Sequence, residues 1–155
     1  MPHSMSVPLF NYADSNFIVH HTVSENFEDP YTRLHMHTMY ELYCFLDGEG
    51  VFTVEGNIYK LERGMLLLIR PGEAHSAKIV STSRYEHIAV HFTPSFLEND
   101  CIREMLHAFE TSKNSSNHCF FCNDESAYPF KLLREITNSK LKGNHPACKL
   151  ALQAN

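Results

Sequence analysis

From about Asn16 to Phe92 the chain is a succession of short β-forming runs, most of them closed within a few residues by glycine, proline or aspartate. Ile18 to Val23, Glu41 to Leu46, Val51 to Val54, Ile58 to Leu61, Met65 to Ile69, Ser76 to Val80 and Tyr85 to Phe92 are the expected strands. Asp47-Gly48-Glu49-Gly50 reads as a hairpin turn with Val51 to Val54 as its return strand, Glu55-Gly56-Asn57 as the next turn, and Pro71-Gly72 as a stop. Many strands at short, regular spacing direct this segment to an all-β sandwich or barrel and away from a βαβ fold.

After Phe92 the period changes. Thr93-Pro94 suits a helix entry, a capping hydroxyl followed by proline in the first helical position. Ile102, Met105, Leu106 and Phe109 then recur at helical spacing. Thr111 to Asn117 is a polar loop, a second helix is expected from about Ser126 to Gly143, and Asn144-His145-Pro146 opens a third. That third helix reaches Asn155 without a stop signal, the pattern of a polypeptide that continues. The helical stripes have two readings, packing on the β-unit or meeting their copies in a second subunit. The resulting division is an N-terminal arm at 1–15, a β-unit at 16–93 and a helical packing or dimerisation tail at 94–155.

Composition narrows the function classes. Hydrophobic residues are 43% and charged residues 20%, an ordinary globular balance. The formal charge is -5 and the lysines and arginines form no stripe, which argues against nucleic-acid binding by this stretch itself. No secretory signal is visible, the apolar run Met65 to Ile69 is far too short to span a bilayer, and the five cysteines are odd in number and irregularly spaced. These features predict a cytoplasmic, reduced protein with no membrane partner. Cys119 and Cys122 form a single CxxC behind His118; a zinc ribbon needs a second pair, so they read as ordinary thiols.

The chemistry concentrates in His35-Met36-His37-Thr38-Met39-Tyr40-Glu41 and in Arg70-Pro71-Gly72-Glu73-Ala74-His75. On one uninterrupted strand, His35, His37 and Glu41 share a face, and a third imidazole, His75, can join them from a second strand. Three imidazoles and a carboxylate suit a divalent transition metal such as zinc, nickel, iron or manganese, with positions left open for a small molecule. The other reading is a hydrogen-bonding floor for a polar ligand, with Glu41 bonded to a histidine. By strand parity Tyr43 and Phe45 share the face of Glu41, and His87 and His91 share a face of the last strand. Tyr43, His87 and His91 are therefore the expected ligand-binding residues, while Phe45 reads as core. Arg70 reads as a solvated surface residue that could also reach an anion, and His3, His20, His21, His107, His118 and His145 as surface or loop residues.

His35-x-His37, three residues, Glu41, six residues and Gly48 resemble the first cupin motif; Gly64, five residues, Arg70-Pro71-Gly72, two residues and His75 resemble the second. The second departs from the pattern: Arg70 replaces a usual proline, and no asparagine follows His75 at the expected offset. Tyr40 to Tyr43, Gly48-Glu49-Gly50, Gly64 to Ile69, Gly72 to His75 and the closing Ala89 to Leu97 are similar to the sensor domain of AraC-family transcription regulators. The resemblance implies a mainly β fold, a cupin-like β-barrel (double-stranded β-helix) followed by C-terminal α-helices. It also implies a small-molecule effector (a sugar or other polar metabolite) inside the barrel, a homodimer through the helices, and DNA contacts only through a C-terminal domain not present in this stretch. A metal-dependent cupin enzyme (dioxygenase, isomerase or epimerase) is the competing expectation.

Overall fold

The computed structural model describes residues 6–25, 33–80, 84–96, 106–107, 109–110 and 118–121. Nine strands are placed: β1 (Ser6–Ala13), β2 (Phe17–Glu25), β3 (Tyr40–Asp47), β4 (Gly50–Val54), β5 (Asn57–Lys60), β6 (Met65–Ile69), β7 (His75–Ile79), β8 (Arg84–Phe92) and β9 (Cys119–Phe121). They form a six-stranded sheet in the order β1-β2-β8-β3-β6-β9 and a three-stranded sheet in the order β5-β4-β7, with every described pairing antiparallel.

All seven expected strands are present, with ends shifted by a residue or two. One connection differs from its expected form. β4 is not the hairpin partner of β3; it crosses to the smaller sheet and pairs with β5 and β7, while β3 lies between β6 and β8. Two features of this crossing require glycine. Gly48 has φ 116, open to glycine and strained for other residues, and a Cβ on Gly50 would stand 2.5 Å from the Lys78 carbonyl oxygen. The true hairpin is β4–β5, whose turn residues Glu55 (φ 47) and Gly56 (φ 79) both adopt the left-handed conformation of a type I′ connection.

Alternation sorts the side chains into two cores. Tyr43 and Phe45 of β3, Met65, Leu67 and Ile69 of β6, and Tyr85 and Ala89 of β8 face the smaller sheet, where Phe52, Val54, Ala77 and Ile79 meet them. On the opposite face of the larger sheet, Val19, Cys44, Leu66, Leu68, Ile88, Val90 and Phe92 form a second cluster joined by Phe109. This explains why β6 is apolar at every position: it is buried on both faces. The Thr93-Pro94 entry leads into a 3₁₀ turn at Pro94–Phe96, and residues 106, 107, 109 and 110 are helical. The expected second and third helices lie outside the described residues, as do the polar loop and Cys122. No helix among the described residues is long and apolar enough to cross a membrane.

Two strands were not foreseen. Ser6–Ala13, within the segment expected as an arm, runs antiparallel to β2 despite Pro8, with the register skipping between Pro8 and Phe10. β9 pairs with β6 at the other end of the sheet.

Candidate functional site

The Glu41 carboxylate is the centre of the polar cluster. Glu41 is 4% exposed on the inner face of β3, and three imidazoles surround a single oxygen of it. The Nε2 atoms of His37, His75 and His91 lie 2.8, 3.2 and 3.3 Å from Glu41 Oε2. Register explains the third neighbour, since Glu41 pairs directly with His91 across β3 and β8. His75 opens β7 and is tied to His35 by an isolated bridge, with main-chain hydrogen bonds of 3.0 and 2.9 Å in the two directions.

The premise of one continuous strand from His35 to Glu41 needs correction. The backbone bends at Thr38 and Met39 and β3 begins only at Tyr40, so the His-x-His pair precedes the strand. The bend brings His37 onto Glu41 and leaves His35 exposed on the rim, its ring 4.2 Å from that of His75 and 6.2 Å from that of His37. His37, Glu41 and His91 are the group whose ligand atoms all lie within 4.8 Å of one another. Expected ligands His37, Glu41 and His75 thus meet at one point, His35 stands beside them, and His91 joins from the expected ligand-binding set.

Hydrogen bonds on the far side of the rings test whether a cation suits this cluster. The Nδ1 atoms of His35, His37 and His75 face the carbonyls of Arg33, Met39 and Glu73 at 2.8, 2.8 and 2.9 Å. A carbonyl only accepts, so each Nδ1 carries a hydrogen and each neutral ring presents its Nε2 lone pair to the cluster. For His37 and His75 that lone pair meets the lone pairs of Glu41, and His75 Nε2 is buried without a hydrogen-bonding partner despite the short distance. A proton on an imidazole, a proton on the carboxyl or a cation among the groups removes that conflict. Ligands held at about 2.1 Å from one ion in neighbouring positions stand about 3 Å apart, close to the distances of the three imidazole nitrogens from Glu41 Oε2. Backbone carbonyls that fix the ring tautomer are also what metal-bound histidines commonly use. His37, Glu41 and His91 form a group whose residue types and spacing fit a divalent transition metal.

Electrostatics agree with a retained carboxylate. Burial raises the Glu41 pKa, but contacts from His37, His75 and His91 outweigh it and hold the group well below the ordinary carboxylate value. Burial lowers the His75 pKa, and its closeness to Glu41 and the Glu73 carbonyl raises it past the ordinary value.

Beside the cluster lies a cavity of about 410 Å³, lined by residues that include Glu41, Tyr43, Phe52, His75, His87, Ala89 and His91. Ala77 and Ala89 line it with small side chains, while Tyr43 and Tyr85 share a 2.5 Å hydroxyl contact and His87 stacks against both rings. The three expected ligand-binding residues, Tyr43, His87 and His91, all line this space, and Phe45 is core. His20, expected on the surface, also lines it, because even offsets along β2 place it with Thr22 and Ser24 on the inner face.

Burial pushes the His87 pKa down to about 4; Glu41 and Glu86 oppose that shift while His20 and His21 add to it. An unfolded histidine binds its proton below about pH 6.5, so between that value and 4 the unfolded chain holds more protons and stability falls as pH falls. The His87 contribution reaches at most about 3 kcal/mol. Urea unfolding at pH 7 and pH 4.5 should show a loss that shrinks in His87→Phe; an equal loss in both proteins would remove His87 from the pH response.

Two expectations outside the cavity are corrected. Arg70 is not a free surface cation: it bonds Glu73 through its main-chain N–H at 2.7 Å, its Nε at 2.8 Å and a terminal nitrogen. His118 is not a surface residue; it is 2% exposed and contacts Glu73 at 3.1 Å and Tyr59 at 3.0 Å. The i, i+3 spacing of Arg70 and Glu73 was a readable signal for the first, whereas the second depends on a pairing no local pattern announces. Cys44 is buried and Cys119 half-buried.

A family model, the AraC-like ligand binding domain, matches residues 18–129, which takes in both histidine motifs and every strand from β3 to β9. This chain belongs to the AraC-like ligand binding domain family. Among solved structures, similar folds include the cupin domain of Cnp3 from Schizosaccharomyces pombe, at 14% identity over 58% of this chain and 63% of that one, with a TM-score of 0.47. A Cupin 2 conserved barrel domain protein from Salinispora arenicola gives 16%, 59%, 77% and 0.47 for the same quantities. The DMSP lyase DddQ from Ruegeria pomeroyi gives 18%, 58%, 47% and 0.47. None of the curated proteins matches the chain. The AraC-like domain described here is thus a mainly β ligand-binding unit.

Proposed function

We propose that this AraC-like domain is the effector-sensing half of a transcription regulator. A small polar metabolite, such as a sugar, occupies the barrel cavity. A divalent transition metal held by His37, Glu41, His75 and His91, with His35 at the rim, forms one wall of its site. The metal would supply a Lewis-acidic contact for an oxygen of the effector. Tyr43 and His87 offer aromatic faces to the effector's apolar side, and His91 reaches both the metal and the cavity. The tail carries a homodimer contact, DNA is read by a domain elsewhere in the polypeptide, and the protein works in the cytoplasm.

One observation carries this reading: a buried carboxylate ringed by three imidazoles lines a half-open pocket in a domain of a ligand-binding family. The same cluster beside a cavity also suits a metal-dependent cupin enzyme, so the test must separate binding from turnover. Melting curves of the metal-loaded protein against sugars and small aromatic diols should give a ligand that raises the midpoint. In Ala89→Leu, which adds bulk to the cavity wall, that ligand should bind at least about tenfold more weakly, the scale of one or two misplaced methylene-sized contacts. Consumption of the ligand, abolished by His37→Ala, would replace the sensor reading with the enzyme.

A further inference from the structure

Glu73 touches the site and the chain beyond the barrel at the same time. Its main-chain carbonyl faces His75 Nδ1 at 2.9 Å and so sets the tautomer and orientation of that ring. Its carboxylate is gripped from the other side by Arg70 and by His118, the residue that leads into β9. His118 is itself held rigidly. Its carbonyl accepts from the Leu68 N–H at 2.9 Å, its N–H donates to the Tyr59 hydroxyl at 3.3 Å, and the same hydroxyl lies 3.0 Å from Nδ1. With the hydroxyl donating to Nδ1, the ring keeps its hydrogen on Nε2, the nitrogen facing Glu73. Arg70 also reaches the Phe109 carbonyl at 3.5 Å, and the Phe109 ring packs at 5.2 Å from Tyr40 and 5.7 Å from Phe92, the neighbours of Glu41 and His91.

We propose that Glu73 is a positioning residue that couples the Glu41–His75 site to β9 and to the helical turn at Phe109. The inference rests on the reading of His75 as part of the functional site. Carbonyl and carboxylate belong to one residue whose side chain is fixed by several hydrogen bonds, so a displacement of the loop moves the His75 ring and the His118 grip together. Occupancy that fixes His75 therefore fixes the attachment of β9, and by linkage a detached β9 weakens binding at the site. The order Tyr59, His118, Glu73 has the outline of a nucleophile, base and orienting acid, but His118 is buried from any substrate and the arrangement works as a mechanical joint.

Tyr59→Phe tests this at a distance, because it removes one hydroxyl and touches neither Glu73 nor His75; His118→Gln is the second variant. Long-range proton–nitrogen spectra of the imidazoles are recorded on the metal-free full chain. The His75 ring should leave its single Nδ1–H form, by a shift or by broadening, in both variants, while the His21 ring stays as in the wild type. Nickel titration, with the metal alone, should show affinity lowered about tenfold, within the range for lost outer-shell support. Unchanged His75 ring signals in both variants would overturn the coupling. Absence of nickel uptake by the wild type would overturn only the metal reading, since the ring spectra still decide the joint.

Discussion

Glu41→Ala is expected to weaken divalent-metal binding by at least about a hundredfold, beyond the 10–100-fold range of losing a mere supporting contact. The reason is geometric: one carboxylate oxygen faces three imidazole nitrogens, so its removal strips the charge and the common neighbour together. In the wild type, metal at about a hundred times its dissociation constant should stabilise the fold by about 2.7 kcal/mol, visible as a raised melting temperature. The variant should show no such rise at the same concentration. Uptake should also weaken on acidification, because imidazoles must lose protons to bind a metal. Calorimetric titration with zinc or nickel checks the first result and melting curves the second. Equal affinities for wild type and variant would separate the cluster from metal binding altogether.

Phe45→Ala should produce the largest loss of stability, about 3–5 kcal/mol, read from the urea midpoint. Phe45 is 1% exposed in the inner core, between the two sheets. The ring fills space that no neighbour can take over, since the flanking strands are fixed by their ladders on both sides. Against a typical stability of about 5–15 kcal/mol, a loss of this size leaves a substantial unfolded fraction. A change under about 1 kcal/mol would mean that the two sheets close onto the cavity, and would contradict the close packing of this core.

Period-two alternation made the barrel and much of its lining readable before any coordinates. Glu41, Tyr43 and Phe45 follow one face of β3, and His87 and His91 one face of β8, as parity requires. Cross-strand register was not readable, because it is set by partners tens of residues away. For that reason His91 was expected among the ligand-binding residues, and its direct pairing with Glu41 emerged only from the structure. The bend at Thr38–Met39 was hidden for a related cause: neither residue is a glycine or proline that marks a break. β1 was obscured by Pro8, and β9 by its three-residue length and the polar loop before it. His118 illustrates the limit most plainly, since its burial depends on Tyr59 and Glu73, 59 and 45 positions earlier. In the second motif, the departure at Arg70 acquires a physical meaning: an arginine there can hold Glu73, where proline could not.

The proline of β1 affects what the outermost row of the larger sheet can offer to a neighbouring molecule. Pro8 has no N–H, and the slip between Pro8 and Phe10 breaks the even spacing that a docking backbone would have to match. Fibril-like growth by adding strand upon strand is therefore hindered at that border.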